Sequence, residues 1–132
     1  MPEETEFLKK RAKEFWQRAK EDFLKARYNL CALDTEQAVQ LWLKYLIFLK
    51  AGDFPKTHYF ERLIDSLSDI YNTSSVKEFY KANILQFSSL EDAYLTSRYL
   101  PKEFSKDEAE KLMEFAGTFL KFLEKVSNEK LV

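Results

Sequence analysis

A single histidine, His58, carries all the imidazole chemistry this chain can offer. Histidine is the side chain whose ordinary pKa lies nearest neutrality, so any proton-transfer mechanism depends on that one position. It follows Pro55-Lys56-Thr57, where local bonding at a helix start competes with a contact to a nucleotide or RNA. Upstream, Gln37, Gln40 and Lys44 are spaced three and four residues apart, which puts them on one side of a helix. Amides and an ammonium in that arrangement suit either a structural hydrogen-bond network or a bound ligand. Arg98 and Tyr99 stand just before Pro101, where a guanidinium fork serves a phosphate or the last helix carbonyls. Lys44 and Arg98 are the phosphate-reading members of this set.

Other chemistries find little support. One Cys and one His make no ligand cluster, so no metal site is expected. The chain has no GxGxxG or Walker sequence to cradle phosphates and no nucleophile elbow for serine catalysis. No catalytic residue and no cofactor are therefore assigned. The carboxylates Glu21-Asp22 read as a solvated face, and Asp107-Glu108 as the acidic start of a helix. Lys9, Lys10, Arg11 and Lys13, with Phe7, Phe15 and Trp16 nearby, offer cations and rings to RNA. The plainer reading, a wet helix face with core residues behind it, takes precedence.

The elements that position these residues are helical. Only two Gly and three Pro occur in 132 residues, which starves β-turns and favours long helices. That length suits one domain, residues 1–132, with one sizeable core. The formal net charge of -1 argues against a bulk polyanion or acidic membrane as partner. The lone Cys31 allows no internal disulfide and fits a reducing compartment. There is no apolar signal-peptide core, and the run from Trp42 to Leu49 is too short to span a bilayer. A cytoplasmic location is expected. Aromatics at 16% exceed the needs of a small core, and the surplus suits a subunit interface.

In chain order, Ala12, Trp16, Ala19, Phe23, Ala26 and Leu30 predict a first helix from about Thr5 to Leu30. Asp34 to Gln37 resembles a capping box that opens a central helix, apolar nearly all round, ending near Ala51 with Gly52 as its stop. Thr57 is placed to cap a short third helix, roughly His58 to Leu67, followed by a polar loop from Asp69 to Ser75. Ser75 with Glu78 opens a fourth helix reaching Leu100, with a kink or fresh start allowed at Ser88-Ser89. Ser105 with Glu108 caps the last, in which Ala116-Gly117 marks a close helix crossing. The expected fold is all-α: an antiparallel up-and-down bundle of four long helices plus one short helix.

These pieces together resemble the HEPN domain family over most of the chain. FWQRAKEDFLKARYNL is similar to the family's opening helix, and SKDEAEKLMEFA to its last. Gln37, Ala38, Leu43, Lys44, Thr57 and His58 match the central Gln-Ala-x-Glu-x-x-Leu-Lys core and its following Thr-His, with Gln40 in place of the Glu. Ser97-Arg98-Tyr99 resembles the family's Ser-Arg-Tyr-Pro, the proline displaced to Pro101. The resemblance implies a cytoplasmic prokaryotic homodimer, tied to nucleotide or RNA biology and often encoded beside a minimal nucleotidyltransferase as a toxin-antitoxin pair. Ribonuclease members place four to six intervening residues between Arg and His. Here Ala51, Gly52 and Asp53 hold those positions, and no His follows Arg98.

The leading expectation is a non-catalytic dimer binding a nucleotide, RNA or a nucleotidyltransferase through Gln37, Gln40, Lys44, His58, Arg98 and Tyr99. The alternatives are a metal-independent ribonuclease toxin, in which His58 and Arg98 meet in space, and a helical protein–protein adaptor. The Glu-to-Gln change at Gln40 is expected to remove a charge from the polar seam. Gln40→Leu is expected to leave stability unchanged or raise it.

Overall fold

The computed structural model describes residues 3–131. It contains α1 (Glu3–Leu24), α2 (Tyr28–Ala51), α3 (Phe60–Ile70), α4 (Ser75–Ala82), α5 (Ile84–Tyr99) and α6 (Lys106–Ser127). No strand occurs among the described residues, so the all-α expectation holds. None of these helices is long and apolar enough to cross a membrane.

The central helix is α2, which touches α1, α3, α5 and α6. Its apolar residues point in every direction, and Val39, Trp42, Leu43 and Leu46 are completely buried. Such a helix has no face suited to water and is stable only when surrounded. Around it lie Ala12 and Ala19 of α1, Leu63 and Leu67 of α3, Leu90 of α5 and Leu123 of α6, all buried. Each large side chain removed from water contributes about 1.5–3 kcal/mol before ordering costs. Gly52 ends α2 with φ +76, its N–H donating to the carbonyl of Phe48. Only a glycine enters that left-handed conformation without a Cβ penalty.

Several boundaries differ from the sequence reading. The first helix stops at Leu24, not Leu30, because Ala26 adopts φ +58 and the N–H of Arg27 turns back to the carbonyl of Asp22. Asp34 to Gln37 therefore forms no cap; it lies inside α2. α3 begins at Phe60, whose N–H donates to Glu91 of α5 at 2.9 Å, while the Thr57 hydroxyl accepts from Tyr59. It continues to Ile70, past the expected end.

The expected fourth helix is two. The break falls at Asn83, whose side chain donates to the carbonyl of Phe79 and whose own carbonyl accepts from Phe87. Ser88-Ser89 lies inside α5 without interruption, so the described residues form six helices where five are expected. Ser74, not Ser75, precedes α4, and the Ser75–Glu78 box does not form. Across the break, Phe79 stacks on Phe122 at 4.6 Å and Phe119 at 5.3 Å, while Phe87 meets Phe119 edge-on at 4.8 Å. These rings tie α4 and α5 to α6. The Ser105–Glu108 capping box of α6 forms as expected. Gly117 faces the ring of Trp16, which a Cβ would meet at an ordinary 3.8 Å, so no close backbone crossing requires it.

Candidate functional site

The polar seam lies on α2 as its spacing requires. Gln40 is 3% exposed, and its side-chain amide donates to the main-chain carbonyl of His58. A helix-borne amide thus holds the loop between α2 and α3. The other end of that amide, Oε1, is buried without a partner among the described residues. Gln37 donates to Glu36 Oε1 at 2.7 Å, and Lys44 is half-buried with its ammonium 5.8 Å from the centre of the Phe54 ring.

Glu36 is the member that sequence reasoning missed. It is 1% exposed, and burial pushes its carboxyl up to about 7, against the opposing pull of Gln37, Gln40 and Lys44. Lys44 moves the other way: burial lowers its pKa, and Glu36 partly restores it. In place of the charge expected to vanish with Gln40, a titratable carboxyl is therefore present one turn earlier, on the same side of α2. The four-residue spacing from Glu36 to Gln40 was the available signal.

His58 itself is exposed, its ring 4.4 Å from that of Tyr59 and 6.3 Å from that of Tyr94 on α5. The Tyr94 hydroxyl accepts from Arg98 at 3.2 Å, and the Arg98 guanidinium lies over the rings of both Tyr94 and Tyr99 at 5.2 and 5.3 Å. Tyr94, absent from the sequence-based set, thus joins His58 to Arg98 and Tyr99 on one surface. Two groups result. Gln37, Gln40 and Lys44 gather about Glu36, while Arg98 and Tyr99 gather about Tyr94. The loop at His58 belongs to both, and no hydrogen bond or ion pair among the described residues joins Lys44 to Arg98. Chemically, the surface offers an imidazole, two cations, amides and aromatic faces, which together suit an anionic, ring-bearing ligand.

A second polar cluster closes the α1–α2 elbow. Arg18 donates to both oxygens of Asp34, at 2.9 and 2.8 Å, and Arg27 donates to Asp22 at 3.0 Å. Both carboxylates are buried while both guanidinium groups reach solvent. Asp22 is thus not on a solvated face; burial, then the neighbouring Asp34, push it up to about 6 against the pull of Arg27. Cys31 is also buried here, its thiol pushed up to about 11 chiefly by burial.

A helical bundle with an α2 polar seam, a Thr-His after its end and a Ser-Arg-Tyr at the end of α5 defines a class before any comparison. The HEPN domain family model matches residues 5–126, and the chain belongs to that family. No curated protein matches it.

Proposed function

We propose that this HEPN chain is a homodimer that binds a nucleotide, RNA or a minimal nucleotidyltransferase partner without itself cleaving RNA, in a toxin-antitoxin-like pairing within the cytoplasm. In this reading residues 1–132 act as one unit, and the long helices run up and down antiparallel. The observation that carries it is the Gln40–His58 bond. A buried side chain of the central helix is committed to placing an exposed imidazole beside Tyr94 and Arg98. Lys44, Arg98 and His58 supply positive or protonatable groups to phosphate, Gln37 and Tyr99 bind the remainder, and Gln40 acts by position.

The non-catalytic part rests on what surrounds His58. Transesterification of RNA needs a base at the attacking hydroxyl and a cation at the developing charge. The residues that could supply that cation from before His58 are Ala51, Gly52 and Asp53, and Asp53 repels phosphate. A dimer suits the outer side of α5, where Leu85, Leu95 and Tyr99 are 78%, 52% and 64% exposed and lie along the same side of the helix.

The test is co-purification from the native host, with mass spectrometry of bound proteins and small molecules and light scattering for mass. A bound nucleotide, RNA or nucleotidyltransferase on a dimer is the expected result. A ligand-free monomer would overturn the reading. The ribonuclease alternative draws on the approach of His58 and Arg98 through Tyr94. RNA cleavage abolished by both His58→Ala and Arg98→Ala would establish it.

A further inference from the structure

We propose that the outer side of α1 is a second contact surface for single-stranded RNA, with Arg18 as a phosphate fork held ready by Asp34. The idea rests on the nucleic-acid branch of the functional reading, but its observations are separate. Phe7, Arg11, Phe15 and Arg18 are spaced four, four and three residues apart, so they form one stripe along the helix. Each arginine lies over the ring before it: Arg11 is 4.4 Å from the centre of Phe7, and Arg18 is 5.2 Å from that of Phe15. Phe7 is 51% exposed and Phe15 half-buried, so ring surface remains open between the cations. A groove of about 440 Å³ runs beside them, lined also by Lys10 and Glu14.

Arg18 is the built element of this surface. Its Nε and one terminal nitrogen are bound to Asp34, whose side chain is 0% exposed, while the guanidinium side chain is 58% exposed. The inner edge of the fork is therefore fixed and the outer edge faces solvent. A pre-oriented guanidinium loses less freedom on binding an anion than a mobile one. Arg11 pairs only loosely, at 3.7 Å, with an exposed Glu14, and such surface pairs yield readily. Lys10, Arg11 and Arg18 face Glu14 in the groove, with Asp34 pairing Arg18 from beneath, so the cations still exceed the carboxylates in a chain whose net charge is -1.

The interleaving selects the partner. Arg11 and Arg18 are seven residues apart, a rise of about 10 Å along a helix, so one extended strand can reach both guanidinium groups with different phosphates. Unpaired bases can stack on rings between cations, whereas duplex bases cannot reach them. Asp34 lies three residues before Gln37 on α2, so Arg18 is tied to the start of the polar seam.

The test measures binding of a labelled 12-nucleotide single-stranded RNA by anisotropy between 50 and 200 mM salt. The proteins are the parent, Arg11→Gln, Arg18→Gln, Arg18→Lys and Lys44→Gln. Loss of affinity by about tenfold and a salt slope shallower by about 0.7 are expected for each Gln change on α1. Lysine at 18 should not restore the affinity, because it lacks the fork. Arg11→Gln touches no buried group and keeps the proposal testable if Arg18→Gln unfolds. Unchanged binding by the α1 variants, or full binding with lysine at 18, would overturn the proposal. Equal competition by polyglutamate would do so too, by showing a surface for acidic protein. If Lys44→Gln alone weakens binding, the α1 surface fails and the first site stands. A parent protein that binds no RNA overturns the α1 proposal and the RNA branch of the first reading, and leaves its nucleotide and nucleotidyltransferase branches standing.

Discussion

The side-chain amide of Gln40 holds the main-chain carbonyl of His58, so the central helix fixes the place of the chain's only histidine. From sequence alone, leucine at 40 is expected to be neutral or stabilising. The hydrogen bond reverses that expectation: the change deprives the His58 carbonyl of its donor. Gln40→Leu should lower stability by about 1–2 kcal/mol, measured by urea denaturation. Stability equal to the parent's would show that the amide serves a ligand rather than the loop.

Glu36 makes stability depend on pH. Its carboxyl is raised from 4.5 to about 7 in the folded chain, so between those values the folded state holds a proton that the unfolded state has released. Its contribution is full below pH 4.5 and is lost as pH rises through 7, by on the order of 3 kcal/mol. Glu36→Gln should remove that part of the decline, leaving the variant more stable than the parent at pH 8. Denaturation curves at pH 5 and pH 8 for both proteins give the answer, and parallel declines would refute it.

Much of the architecture was legible because it rests on local rules. The Ser105–Glu108 box, the Gly52 stop and the all-round apolarity of α2 each follow from a few adjacent residues. The elbow was not legible, since Ala26 adopts a left-handed conformation without glycine, proline or asparagine to announce it. It is fixed by Arg27 folding back onto Asp22, five residues earlier, which is buried only because the bundle packs over it. Asp34 was misread for the same reason: its type and spacing suit a helix start, but its partner, Arg18, is on another helix. At the site, the spacing of Gln37, Gln40 and Lys44 was readable. The link from His58 to Arg98 through Tyr94 depends on how α5 meets the α2–α3 loop, which no local pattern encodes.

Removing Arg18 should expose what the elbow depends on. Arg18→Ala leaves the Asp34 carboxylate at 0% exposure without its bidentate donor. Because the guanidinium is itself largely in water, the expected loss is about 1–3 kcal/mol rather than the larger figure for a fully buried pair. Adding Asp34→Asn to the same chain should recover part of the loss by removing the stranded charge. A double variant less stable than Arg18→Ala would contradict this account.

Gly52 offers a cleaner backbone test. With φ at +76 and no atom within 4 Å of a built Cβ, Gly52→Ala meets no steric neighbour and suffers only the left-handed penalty. A loss of about 1 kcal/mol is expected, with the thermal midpoint as readout. A loss of several kcal/mol would show that the α2–α3 loop is coupled to far more of the core.

Cys31, the only thiol, turns the α1–α2 elbow into its own clock. The group is sealed from solvent and its proton is held tightly, so alkylation waits for the two helices to part. With no engineered label and no second cysteine to confuse the signal, the rate of native-state alkylation measures how often that opening occurs. Added RNA or nucleotide that slows the reaction would reveal binding energy transmitted to the elbow, in a chain carrying its natural sequence throughout.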